Sequence, residues 1–350
     1  MATEEVVWYY KKVFKWDWLE QFVTRGGKYE FGQFVFFFFL MGYDNNNKPY
    51  PARERMQFPS VDKLKEFVIK NRVVEILMSA WYPLEMSMGK TVVDAAQAAS
   101  TKHALSQLGG AAQAATPVKD KWFDNKMLER PLILDFDIND MDRVRKAICE
   151  CVGKMCCDTC WSVLVEETAL PFLKMMLEDF CHFKEVMYVF SGRRGFHVHI
   201  SDERVLAWTL QQRKDFMKQL MESEDACPPV FTDVFEKYIS PQHHSDLPEV
   251  TAYMNEIFPM GFGGEQTIGE MLQYAKTKFP SGAQRRLEKV YHFALCPRFD
   301  PGFVKDITHL IKCPYTIHRE TKNICVPLKP GFKPSEAVKY TTVLIAGGID

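Results

Sequence analysis

Five of the ten cysteines fall within twelve residues: Cys149, Cys151, Cys156, Cys157 and Cys160. This cluster limits the fold more than any other feature, because thiols so close in sequence must share one tight knot of backbone. In a reducing compartment the group reads as a metal site before it reads as disulfides. Cys149, Cys151, Cys157 and Cys160 spell C-x-C-x5-C-x2-C. The C-x-x-C pair is spaced to wrap a tetrahedral ion, so the four thiolates point to structural zinc with no open position. Cys156 competes with Cys157, since a three-residue spacer to Cys160 is also permitted. The alternative is a reduced, metal-free group of buried thiols. The other five cysteines are scattered and read as core or surface.

The rest of the composition describes a folded chain. Of 350 residues, 47% are apolar and 25% charged, which predicts roughly two domains or one with a large insertion. Basic and acidic side chains number 44 and 45, for a net charge of −1. The chain as a whole therefore has no strong pull on a polyanion, and any grip on nucleic acid has to be local or shared with a partner. Met-Ala-Thr-Glu-Glu puts acids where a secretion signal carries its positive region, and the longest apolar run, Phe34 to Met41, is far short of the roughly 20 residues that span a bilayer. An intracellular soluble protein without a membrane partner is expected.

Periodicity predicts an amphipathic helix over Val6 to Arg25, a strand at FVFFFFL, a turn at Asn45 to Pro49, a Ser60-capped helix to Asn71 and a strand from Val73 to Tyr82. Residues 94–117 are rich in Ala, Gln, Ser, Thr and Gly and read as a surface insertion. A strand is expected at Pro131 to Ile138, a short helix from Met141 to Cys149, and a longer helix from Trp161 to Phe180 that Pro171 starts, kinks or interrupts. Strands Glu185 to Phe190 and Phe196 to Ile200 flank the turn SGRRG, and a helix comes next from Glu203 to Met221. The remainder reads as a helical region at 222–290, a helix around Val304 to Ile311 and a hairpin from Tyr315 to Pro327. The expected class is α/β (α+β): a catalytic domain formed by residues 1–221 and 291–350, interrupted by a helical subdomain at 222–290.

Two motifs carry chemistry. In LILDFDIND, alternation along a strand projects Asp135 and Asp137 together, opposite Leu134, Phe136 and Ile138. Two carboxylates held side by side repel, and Mg²⁺ or Mn²⁺ relieves that repulsion. In SGRRGFHVHI, two glycines bracket two arginines, so backbone N–H groups and guanidinium forks can converge on a phosphate. His197 and His199 share one face of the strand after the turn. Asp300 in CPRFD, and Lys312 and His318 further on, read by themselves as surface residues.

Taken in order, LILDFDIND, cysteines ending in CxxCW, YVFSGRRGFHVHISDE, CPRFD and HLIKCPYTIHRETKNICVPL resemble the small, catalytic subunit of archaeal and eukaryotic-type DNA primase. WYYKKVF is similar to that family's N-terminal helix, and the likeness is weakest at 34–125 and 222–290. The resemblance implies a primase fold of two packed mixed β-sheets flanked by helices, with a helical insert and a zinc motif at 149–160. It implies DNA-dependent synthesis of short RNA primers for replication by two-metal nucleotidyl transfer. Asp135, Asp137 and Asp300 match the metal-binding carboxylates. Ser191, Arg193, Arg194 and His197 match the triphosphate-binding turn, and Lys312 and His318 match residues that close over the nucleotide. Cys149, Cys151, Cys157 and Cys160 match the structural zinc site. The implied partners are single-stranded DNA template, ribonucleoside triphosphates, an iron–sulfur large subunit and, in eukaryotes, the DNA polymerase alpha complex. The implied location is the nucleus for a eukaryotic source and the cytoplasm otherwise.

Three departures accompany the likeness. The family's RExSF segment appears as FVFFFFL without its arginine and glutamate, Glu150 separates cysteines that are adjacent in eukaryotic members, and the aspartate of an IDIG segment falls on Leu77 by spacing or Glu75 by residue type. The alternatives are a primase-polymerase for repair or translesion synthesis, and a catalytically silent zinc-containing scaffold.

Overall fold

The computed structural model describes residues 3–28, 34–42, 56–83, 129–151, 156–222, 227–259, 264–302, 309–339 and 341–342. The expected turn at Asn45 to Pro49 and the insertion at 94–117 lie outside these residues.

Two sheets organise the chain. The first has the order β2 (Met56–Gln57), β1 (Phe34–Gly42), β3 (Val73–Pro83), β7 (Ile311–Lys312); the second has the order β4 (Leu132–Asp137), β6 (Gly195–Ile200), β5 (Val186–Phe190). The α/β expectation is met, but the sheets were expected to be mixed and every strand pairing among the described residues is antiparallel. The tight SGRRG turn between β5 and β6 explains part of this, since a parallel pair needs a crossover of a dozen residues or more.

The N-terminal helices cover the first sheet. A single helix over Val6 to Arg25 was expected, and two are found, α1 (Thr3–Lys12) and α2 (Trp16–Thr24). At the break, Trp16 Nε1 donates to the Tyr10 carbonyl at 2.7 Å and the Phe14 and Trp16 rings pack 4.5 Å apart. The Tyr10 hydroxyl donates to the Val74 carbonyl and ties α1 to β3. Ser60 caps α3 (Val61–Lys70), accepting from Lys63 N as expected, and Val61, Leu64 and Val68 form its buried stripe.

The middle strand of the second sheet, β6, is buried along its whole length. Leu134, Phe136, Phe196 and Val198 share one apolar core with the helices packed on them, including Phe231, Leu287 and Val290 of the 222–290 region, whereas Ile133 belongs to the core under the first sheet. Helical segments Asp158–Trp161, Ser162–Ala169, Leu170–Lys174 and Met175–Phe180 run on without a break. Pro171 does not interrupt them, because wide π-helical turns on either side absorb its missing N–H. The expected helix from Glu203 to Met221 is divided into Glu203–Leu206 and Leu210–Glu222. Thr209 caps the second piece by exchanging hydrogen bonds with Gln212, and buried Arg213 donates to the carbonyls of Pro131, Arg130, Val205 and Leu206.

Near the C-terminus, residues 303–308 of the expected helix around Val304 to Ile311 lie outside the described residues, and Ile311 opens β7 instead. The hairpin between Tyr315 and Pro327 is present: Ile317 pairs with Ile324, and Cys325 N donates to Thr316 O at 2.9 Å. Its outgoing strand lies along β5, with Phe190 N donating to Val326 O. Among the described residues no helix is long and apolar enough to cross a membrane.

A Cβ at Gly195 would meet the Phe136 carbonyl oxygen at 1.9 Å, so β4 and β6 can approach only because that position has no side chain. Gly195→Ala is expected to lower unfolding free energy by about 3 kcal/mol in urea titrations, and an unchanged midpoint would contradict the close approach.

Candidate active site

Register assembles the site. In the β4–β6 ladder Asp135 stands opposite His197 and Asp137 opposite Gly195, and cross-strand neighbours share a face. His197 Nε2 lies 3.5 Å from Asp135 Oδ1. The Asp300 segment runs beside the free edge of β4, Asp300 N donating to the Asp135 carbonyl at 3.0 Å. Asp135, Asp137 and Asp300 thereby line one cleft of about 620 Å³, together with Asn139, Asp140, Arg143, Glu249 and Arg298.

The charge balance of this cleft is unusual. Burial pushes the Asp135 carboxyl up to about 7; Lys312 opposes the shift, and Asp300, Asp137 and Asp140 add to it. Burial also raises Asp140, with Asp137 and Asp300 contributing. Excess negative charge of this kind on oxygen donors is what a divalent cation relieves, so the donor set fits Mg²⁺ or Mn²⁺. Asp137 is held by Arg194, whose Nε lies 2.9 and 2.8 Å from its two oxygens.

The SGRRG turn adjoins the Asp135–Asp137 end. Gly192 has φ +91°, and a Cβ there would meet His318 Cβ at 2.5 Å, so the turn and the C-terminal hairpin pack backbone against side chain. Thr321 Oγ1 and Asn323 Nδ2 donate to the Gly192 carbonyl, and His318 Nδ1 accepts from the N–H groups of Glu320 and Thr321. Lys312, paired with Leu77 across β3 and β7, bridges the sheets with Nζ 3.4 Å from the Ser191 carbonyl. Ser191 is buried beside the turn, whereas Arg193 is half-buried and paired with Glu320 at 2.9 Å. Burial, then Lys312 and neighbouring positive groups, holds His318 down at about 3 and His197 well below its ordinary value, so both rings are neutral.

All nine residues expected around the carboxylates and the triphosphate turn thus cluster at one end of the two-sheet core. His318, surface-like when read singly, is buried because the hairpin folds back onto the turn, and Lys312, half-buried on β7, reaches the same turn from the first sheet. Glu75, one of two candidates for the IDIG aspartate, is buried; burial raises its pKa and Lys312 and Arg319 oppose that. Leu77 instead occupies the ladder position opposite Lys312. The expected site did not include Arg143, Glu249 or Arg298. Asn139 and Asp140 were visible within LILDFDIND and Arg298 within CPRFD, but nothing in sequence places Glu249, on helix Pro248–Ile257, beside them.

The cysteines form a separate cluster. The ligand atoms of Cys149, Cys151, Cys157 and Cys160 all lie within 4.8 Å of one another. The Cys149–Cys151, Cys151–Cys160 and Cys151–Cys157 sulfur separations are 2.9, 3.2 and 3.5 Å. A tetrahedral ion bonded at about 2.3 Å needs its sulfurs about 3.8 Å apart, so the four thiols converge more tightly than that and would spread slightly to hold zinc. Cys156 points away, its Sγ 3.2 Å from the Cys157 carbonyl, which settles the geometric choice in favour of Cys157. Cys151 is pulled down to about 6: burial opposes the shift, and hydrogen bonding with Cys149, Cys160 and Arg145 outweighs it.

With this geometry in view, comparison with known proteins decides the family. The family model described as DNA primase small subunit matches residues 134–330, more than half of the chain. The chain belongs to the DNA primase small-subunit family. It is 25% identical to the DNA primase small subunit of Saccharomyces cerevisiae over 257 residues, covering 61% of this chain and 62% of that protein. It is 27% identical to the Caenorhabditis elegans DNA primase small subunit over 257 residues, 59% of this chain and 62% of that protein. For the Drosophila melanogaster DNA primase small subunit the figures are 24% over 265 residues, 62% and 58%. The chain thus spans about three fifths of the length of the primase small subunits it matches. The region matched by the family model holds the three carboxylates, the turn arginines and the four clustered cysteines.

Two measurements check the buried groups. The four-thiol geometry predicts one zinc per chain by metal analysis, lost in Cys160→Ser and retained in Cys156→Ser; the reverse pattern would reassign the ligands. His199 has both ring nitrogens buried without a hydrogen-bond partner among the described residues, and burial pushes it from 6.5 down to about 3. The unfolded chain binds that proton more readily, so the stability from burying the neutral ring is complete above pH 6.5 and is lost as pH falls toward 3. His199→Leu should therefore flatten the fall of unfolding free energy across that window, by up to about 1.4 kcal/mol per pH unit. Equal slopes in urea titrations would refute it.

Proposed function

We propose that the protein synthesises short RNA primers on single-stranded DNA for the initiation of replication, acting as the catalytic subunit of a heterodimeric primase. The observation that carries this reading is the single cleft lined by Asp135, Asp137 and Asp300, with arginines, a lysine and neutral histidines at its end. Two divalent ions, when bound to the three carboxylates, would supply activation of a primer hydroxyl and charge neutralisation at the transferring phosphoryl group.

The remaining work falls to the chain's own side chains. Arg193 and Arg194 leave their carboxylate partners, Glu320 and Asp137, to take the phosphates of a ribonucleoside triphosphate, for which the guanidinium fork is well matched. Lys312 needs no such exchange, because its nearest polar contact is the Ser191 carbonyl. Neutral His197 and His318 can donate to phosphate oxygens without adding charge. Ser191 positions the turn through its N–H, which donates to the Gly195 carbonyl at 2.9 Å. The four cysteines hold structural zinc apart from this chemistry.

On this reading the partners are a DNA template, an iron–sulfur large subunit and the DNA polymerase alpha complex, and the place of action is the nucleus, as suits a chain similar to eukaryotic primase small subunits. A net charge of −1 is consistent with template binding shared between subunits. The test is primer synthesis on single-stranded DNA with Mg²⁺ or Mn²⁺, with and without the large subunit. Asp135→Asn/Asp137→Asn is expected to lower the rate at least about a hundredfold, and unchanged activity would remove these residues from catalysis. Deoxynucleotide preference without the second subunit would replace the reading by a repair or translesion primase-polymerase. Absence of metal-dependent triphosphate binding would leave a zinc-containing scaffold.

A further inference from the structure

Arg145 ends the short helix Asp142–Arg145, and none of its side chain is exposed to solvent. Its guanidinium reaches in two directions. Nη1 donates to Asn139 Oδ1 at 2.7 Å and to Asp142 Oδ1 at 2.8 Å. Nη2 donates to the Cys151 carbonyl at 3.0 Å and to Cys151 Sγ at 3.3 Å. Asn139 and Asp142 line the carboxylate cleft, whereas Cys151 belongs to the four-thiol cluster. One buried cation is therefore shared by two sites.

The sharing has an electrostatic consequence. Four thiolates around Zn²⁺ carry a net charge of −2, and a guanidinium in contact with one sulfur offsets part of it. Hydrogen bonds from groups around a metal orient its ligands and tune their basicity. When zinc leaves, nothing fixes the four sulfurs about a common centre, and the position of Cys151 that orients Nη2 is no longer held. With Nη2 no longer aimed at Sγ, the fork turns about its contact with Asp142. Asn139 then loses its partner, and Asn139 N is the backbone group that donates to Asp137 Oδ1 at 3.0 Å. The chain of contacts runs Cys151, Arg145, Asn139, Asp137.

We propose that Arg145 is a positioning residue that couples the zinc-binding thiolates to the carboxylate cleft, so that zinc and a Mg²⁺–nucleotide each strengthen the binding of the other. The coupling rests on the cleft being the nucleotidyl-transfer site. Binding linkage is reciprocal, so the effect is readable from the zinc side without any measurement of primer synthesis.

The experiment uses the full chain loaded with zinc. Release of zinc to the chromogenic chelator 4-(2-pyridylazo)resorcinol is monitored with and without Mg²⁺ and UTP, and Mg²⁺–UTP binding is measured in parallel. In the wild type, saturating Mg²⁺–UTP is expected to slow zinc release at least about fivefold. In Arg145→Gln that ratio should fall to one even though basal release is faster, and Arg145→Lys, which keeps the charge but not the fork, should fall between. Asn139→Ala removes only the cleft-side acceptor and keeps the sulfur contact, so it carries the test if Arg145→Gln does not fold; it too should lose the ratio. A merely structural role for Arg145 would speed zinc loss and leave the ratio unchanged, which would overturn the proposal, as would a wild-type ratio of one with Mg²⁺–UTP bound. Failure of Mg²⁺–UTP to bind would overturn the reading of the cleft and the coupling with it.

Discussion

Because Gly195 leaves room against the Phe136 carbonyl, β6 can lie close alongside β4 in the register that sets His197 opposite Asp135 and Gly195 opposite Asp137. A slip of one residue would turn every side chain of that ladder to the other face, taking the carboxylates into the apolar core and Phe136 into the cleft. The helical layer beneath makes such a slip costly, since Leu134, Phe136, Phe196 and Val198 are all fully buried in it. Packing on one side of the second sheet thus holds the chemistry on the other.

The face that carries the chemistry is stabilised by local compensation of charge. Asp137 is neutralised by Arg194, Lys312 spans from the first sheet to the turn of the second, and His197, His199 and His318 are buried as neutral rings. Burial raises the Asp135 carboxyl to about 7; Lys312 opposes the shift, and Asp300 and Asp137 add to it. Repulsion among crowded carboxylates of this kind is what a divalent cation would relieve.

Much of this was legible residue by residue. Alternation in LILDFD and GFHVHI marked strands β4 and β6, Ser60 marked a helix start, and the spacing of the cysteines marked the four-thiol cluster. Element breaks were harder to read. The division between α1 and α2 depends on Trp16 turning back to the Tyr10 carbonyl, and Thr209 interrupts an otherwise helical pattern by capping the helix that begins at Leu210. Pro171 falls in the first turn of the segment Leu170–Lys174, one of the positions expected for it, although the helix around it runs on through wide turns. Periodicity could not locate Lys312 and His318 within the site, since they meet it through contacts of β7 and the C-terminal hairpin with a turn more than a hundred residues earlier.

The sequence by itself determined which chemical groups were available and which faces of the strands carried them, because side-chain alternation and ligand spacing are properties of the local backbone. It could not choose between Cys156 and Cys157, since both satisfy a permitted spacer; the backbone path does so by aiming Cys156 at a carbonyl. Nor could it join the cysteines to the carboxylates, which share no motif. Asn139, Asp142 and Cys151 lie within six residues of Arg145, yet no spacing rule marks them as its partners; the folded backbone gathers them around its guanidinium, because a charge removed from water has to be met by every partner within reach.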